Sequence, residues 1–187
     1  MVAGALPSYN VTWFQAQEAC GASRKRLPTG SEWIRAARGT IDPGAPNNGL
    51  AAGNAQCNTL SSPAHNPRTT NGAIGASPSQ SCVSDWGAQD MIGNQEEWTD
   101  EWYAGVGDDT LAPASPWPAA YNGDTTFNIT SVAVFDNNSD KGAGSPAAAT
   151  RGGNYNDGVS AGIFNLKLGI APASWQPEVG FRCVVSR

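Results

Sequence analysis

Few residue groups in this chain can do chemistry, and their types narrow it quickly. Cys20, Cys57, Cys82 and Cys183 are its four cysteines. Four cysteines allow three disulfide pairings, spacing alone does not choose among them, and four reduced thiols of a cytosolic protein are a further arrangement. His65 is the single histidine, set in Pro63-Ala64-His65-Asn66-Pro67. A lone histidine in a surface-loop composition assembles neither a multi-histidine metal site nor a Ser-His-Asp triad. Asn94 and Glu97 lie three apart after Gly93. They offer the hard oxygen donors that calcium takes, with a turn in which Glu97 bonds to backbone as the alternative. Towards the end, Tyr155, Asp157, Val159, Ser160, Asn165, Lys167, Gly169, Ile170, Ala173, Ser174, Trp175 and Gln176 mix every chemical type and fit no helical or strand period. Such a mixture suits recognition, with Tyr and Trp as rigid amphipathic anchors and Ser and Asn as adaptable hydrogen-bonding groups.

These residues need elements to hold them. Thr12 followed by Gln15 is a capping-box pattern, and Trp13, Ala16 and Cys20 recur on one face, which predicts a helix over about 12–20 ended by Gly21. The same pattern at Thr29 and Glu32, with Trp33, Ala36 and Ala37 as the buried stripe and Gly39 as the stop, predicts a second. From Thr40 to Trp86, Gly, Pro, Asn and Ser dominate and no regular element is legible. Glu97-Trp98-Thr99 and Val132 to Phe135 read as short strands. Phe164, Leu166 and Leu168 alternate, and Val179 to Val185 reads as a terminal buried strand. Asp108 to Pro118 and Asp136 to Ala149 read as exposed insertions. The predicted class is α+β, with two short N-terminal helices, short antiparallel strands and long irregular loops.

Composition sets the outer bounds. The chain has 187 residues, with 22 glycines, 13 prolines and only 14% charged residues, which makes one loop-rich, weakly charged domain over 1–187. A hydrophobic content of 40%, including seven Trp, supplies a core. The net charge of -5 removes the broad positive field that phosphate-backbone binding requires, so no nucleic-acid partner is expected. No apolar run approaches the length of a membrane span, so direct membrane insertion is not expected either. The first seven residues lack the basic start of a signal peptide, so an exported form would draw its signal from outside this chain.

Several phrases carry a resemblance. They are Val11-Thr12-Trp13 with Ala16 and Cys20; Arg26-Leu27-Pro28-Thr29 with Glu32-Trp33 and Ala36-Ala37-Arg38-Gly39; Gly87 with Asp90-Met91-Ile92-Gly93-Asn94 and Glu97-Trp98-Thr99; Arg151-Gly152-Gly153; and Gly180-Phe181-Arg182. In this order, over about residues 9–185, they resemble the formylglycine-generating-enzyme branch of the C-type lectin fold. Arg151 to Gly158, Ala161 to Phe164 and Val179 to Cys183 further resemble the variable region of proteins diversified by diversity-generating retroelements, which use the same frame.

The resemblance implies a C-type lectin fold with disulfides Cys20–Cys183 and, from the remaining pair, Cys57–Cys82. It also implies a calcium role for Asn94 and Glu97, which match positions that help bind calcium in the oxidase members. Those members carry a copper-holding cysteine pair between the Arg-Gly-Gly and Gly-Phe-Arg phrases, whereas residues 154–179 contain no Cys. Copper(I) prefers soft thiolates, so no copper is expected. The resulting expectation is a non-catalytic binding protein for a protein or cell-surface ligand, with a formylglycine-generating-type oxidase or related oxygenase as the alternative. Its variable segment is about 151–183, and Tyr155, Asp157, Val159, Asn165, Lys167, Gly169, Ile170, Ala173 and Trp175 form one exposed face. Disulfides favour an oxidising setting: a cell surface, the extracellular space or a phage particle.

Overall fold

A computed structural model describes residues 6–41, 57–59, 73–74, 77–78, 82–104, 126–127 and 146–185. Both predicted helices form, α1 over Trp13–Ala22 and α2 over Gly30–Ala37. Each opens with a reciprocal capping box: the Thr12 hydroxyl accepts from the Gln15 amide at 3.1 Å, and the Gln15 side chain accepts from the Thr12 amide at 2.9 Å. Thr29 and Glu32 repeat it. Helix α1 runs through Gly21, and the chain reverses at Arg24, which adopts φ 58°. The Lys25 amide bonds back to the Cys20 carbonyl and the Arg24 amide to the Gly21 carbonyl, each at 2.9 Å, the paired pattern that closes a helix through a left-handed residue.

The strands are β1 (Ala73–Ile74), β2 (Ser77–Pro78), β3 (Glu96–Ala104), β4 (Thr126–Phe127), β5 (Pro146–Gly152), β6 (Gly162–Ile170) and β7 (Val179–Phe181). β1 and β2 form a small antiparallel pair inside the stretch that showed no legible element. The other five form one sheet in the order β4-β6-β5-β3-β7 that is mixed and not antiparallel throughout as expected: β5 is antiparallel to both neighbours, whereas β7 runs parallel to β3 and β4 to β6, because long connections separate the members of each parallel pair in sequence.

Part of one predicted insertion is the centre of this sheet. Ala147, Ala148 and Ala149 are buried in β5, and Ala148 packs in one cluster with Trp98. The terminal strand is shorter than predicted: β7 ends at Phe181, and Val184 instead pairs with Arg26. The chain must leave the sheet there because Cys183 joins Cys20 on α1. Val132 to Phe135, Asp108 to Pro118 and His65 lie outside the described residues.

The core lies between the helices and the sheet. Ala16, Cys20, Leu27, Trp98, Ala148, Ile170 and Val179 pack as one cluster, and Trp33, Ala37 and Met91 as another. Both disulfides implied by the resemblance are present: Cys20–Cys183 ties α1 to the end of β7, and Cys57–Cys82 closes a separation of 25 residues. Constraining a loop of that length stabilises by about 3 kcal/mol in the chain-entropy account.

Candidate functional site

Glu96 and Glu97 open β3, and successive strand residues point to opposite faces. Both are buried, so each needs partners, and the two sets of partners define a frame side and a candidate binding side.

On the frame side, Glu97 accepts from Trp33 Nε1 at 2.7 Å and receives the Arg182 guanidinium on both carboxylate oxygens. Arg182 also donates to the Gln89 carbonyl at 3.0 Å. The phrases around Trp33, Glu97 and Arg182 thus close into one network joining α2, β3 and β7. Asn94 adopts φ 63°, its side-chain oxygen accepts from Asn58 Nδ2 at 3.1 Å, and its amide bonds to the Asn58 carbonyl at 2.7 Å. These residues do not fit the expected calcium site. A cationic guanidinium holds both oxygens of the one carboxylate in it. Neighbouring Asp90 has an unpaired buried oxygen, and burial pushes its carboxyl up to about 6, with Arg182 opposing and Glu97 reinforcing the shift.

On the other side, Glu96 is only 1% exposed. Thr150 Oγ1 donates to it at 2.8 Å, Asn154 Nδ2 at 2.8 Å and Lys167 Nζ at 2.7 Å. Burial alone would lower the Lys167 ammonium, but Glu96, Asp157 and Glu178 outweigh it and hold the group above its ordinary value. Asp157 accepts from the Asn154 amide at 2.8 Å, and its carboxyl is pushed up by burial and then by the Glu96 charge. Tyr155 hydrogen-bonds Glu178, and burial followed by that carboxylate raises its phenol.

The backbone that brings these groups together depends on two glycines. Gly152 and Gly153 have φ 91° and 73°. A Cβ on Gly152 would meet the Met91 carbonyl oxygen at 2.7 Å, and one on Gly153 would meet Ala161 at 2.7 Å. The chain then passes through an Asn154-centred turn and a 3-10 turn at Gly158–Ser160 into β6, and the loop 171–178 returns it to β7.

The predicted face is therefore divided. Trp175 is 61% and Val159 53% exposed, Ala173 is also exposed, and Asp157, Lys167 and Gly169 are half-buried. Tyr155, Asn165 and Ile170 are buried, so the expectation of a single exposed set is corrected for these three. Asn165 Nδ2 donates to the Ser160 carbonyl at 2.7 Å, Ile170 joins the Trp98 cluster, and Tyr155 is held against Glu178. The expected lack of a strand period is seen in the burial of these residues, although a strand forms there. Residues 162–170 are β6, whose alternation is broken because Lys167 and Ile170 pair with Thr150 and Ala148, placing an extra residue on the β6 side.

Sequence reasoning missed Glu96, Asn154 and Glu178. Its available signal was the pair Glu96-Glu97 directly before Trp98, two acids in a strand otherwise reading as buried.

With this geometry in place, comparison with known proteins identifies the frame. The family described as "Sulfatase-modifying factor enzyme 1-like domain" matches residues 2–187, and the chain belongs to it. Among solved structures, the chain is similar to the Major Tropism Determinant U1 variant, at 21% identity and a TM-score of 0.57 over 92% of this chain and 36% of that one. It is also similar to the Treponema denticola variable protein 1, at 18% identity and a TM-score of 0.55 over 95% of this chain and 70% of that one. The chain thus spans about a third of the length of the tropism determinant. Among curated proteins, no relative matches the sequence. The fold is the expected C-type lectin fold of the formylglycine-generating type.

Proposed function

We propose that the chain is a non-catalytic binding protein, diversified by a retroelement, that engages a protein or cell-surface ligand through its C-terminal surface. The observation that carries this reading is the division of residues 155–175. Trp175, Val159 and Ala173 face solvent while the network around Glu96 and the Arg182–Glu97 pair holds the backbone beneath them. Exposed Trp beside adaptable polar groups is the composition of binding surfaces, and a strand-and-disulfide scaffold supplies the rigidity they need. Fold-level likeness to a tropism determinant and a variable protein agrees with the reading.

The oxidase alternative draws on the family's name. Its chemistry requires free thiols, whereas all four cysteines of this chain are joined in disulfides. The same disulfides support an oxidising setting, a cell surface, the extracellular space or a phage particle.

Sequencing the gene's neighbourhood tests the proposal. A reverse-transcriptase gene and a near-copy of the segment coding for residues 151–183 are expected beside it. Mismatches between copy and gene should fall on codons for exposed positions such as 159, 173 and 175. A locus with neither element would remove the diversification reading.

A further inference from the structure

Gln95 lies immediately before β3 and is only 4% exposed, yet neither its side-chain oxygen nor its nitrogen has a hydrogen-bond partner. Gln89 likewise has an unpaired buried oxygen. Leaving buried amides this way is costly, so a partner is called for. Both residues line one cavity of about 410 Å³, whose lining includes none of residues 155–175. The cavity is floored by Glu97 and Arg182, which already saturate each other. Leu6 and Phe181 give it an apolar wall, and exposed Lys25 stands at its rim.

The geometry points to a second binding site here, for a small organic carboxylate that carries an adjacent amide and an apolar side chain. The Gln95 amide offers donor and acceptor side by side, which an amide or carboxylate group matches, and the Gln89 oxygen adds an acceptor. Arg182 is taken up by Glu97 and the neighbouring Asp90, so exposed Lys25 is the cation among the lining residues that a carboxylate would meet. The Leu6 and Phe181 surfaces bury the apolar part. The volume lies within the range of small-molecule sites.

N-acetyl-leucine has this chemistry, and N-acetyl-leucinamide lacks only its charge. Titrating each into the full chain, with amide chemical shifts as the readout, should give saturable changes centred on Gln95 and Phe181. Gln95→Met should weaken N-acetyl-leucine by about tenfold while leaving Tm unchanged or raised, because two unpaired polar atoms are removed. Lys25→Ala should weaken N-acetyl-leucine by about threefold and leave the amide probe unaffected. Trp175→Ala should alter neither titration. If neither probe shifts these resonances at millimolar concentration, or if Gln95→Met binds as wild type does, the cavity is a water-filled space and the site is refuted. The shifts in the unsubstituted protein decide the matter even if Gln95→Met fails to fold.

Discussion

Lys167 shows how far a residue in the candidate surface is free to change. Its ammonium sits 2.7 Å from Glu96, a carboxylate almost wholly removed from water. Removing one partner of a buried pair leaves the other charge uncompensated, which costs about 3–5 kcal/mol for a fully buried pair and less for this half-buried one. Lys167→Met should therefore destabilise by about 2–3 kcal/mol in denaturant titrations, and Glu96→Gln added to it should recover most of the loss. Equal, additive losses would show that the pair is not coupled. Asp90 gives the second residue-scale expectation. Its carboxyl is raised to about 6 from an ordinary 3.8, so the folded state binds a proton that the unfolded state releases between those values. Stability from this group is therefore present below about pH 4 and lost as pH rises through 6. Asp90→Asn, which tolerates the φ of 52° at this position, should raise Tm by several degrees at pH 8 and by almost nothing near pH 4. A gain independent of pH would contradict the assignment.

At the scale of elements, the capping boxes made α1 and α2 legible because their signal is local: a hydroxyl, three residues and a reciprocal side chain. The end of α1 was less so. Gly21 invited termination, but the left-handed residue that closes the helix is Arg24. Arg24→Gly should accordingly stabilise by about 0.5–1 kcal/mol, read as a shift in the denaturation midpoint at constant slope. The alanine run 147–149 was misread for a physical reason. Low β-propensity and small volume resemble a loop insertion, while tertiary packing, with Ala148 against the Trp98 cluster, is what makes small residues suitable there. β6 hid its period because its extra residue shifts the inward face partway along. Glu96 and Glu97 were obscure for a related reason: whether an acid is buried depends on partners such as Lys167 and Arg182 that lie 71 and 85 residues away in sequence.

For the whole molecule, Cys20–Cys183 and the two buried carboxylate networks converge on the strands flanking residues 151–178, and Cys57–Cys82 packs with Ala161 and Ile163, so the frame is fixed from several directions while Val159, Ala173 and Trp175 touch solvent. The division into frame and surface is the central claim. It was only partly visible in the sequence, which marked the segment but counted Tyr155, Asn165 and Ile170 among its exposed members. Substituting each position from 151 to 183 in turn, and measuring the stability of every variant by proteolysis of the unfolded state, tests the claim without knowledge of the ligand. The account predicts that changes at Val159, Ala173 and Trp175 stay within about 0.5 kcal/mol of the parent. It predicts losses of about 2–5 kcal/mol for Ile170→Ala and destabilisation at Gly152, Gly153, Tyr155 and Asn165. If Val159, Ala173 and Trp175 prove as intolerant as Ile170, the C-terminal segment is core, and a surface free to vary on this scaffold does not exist.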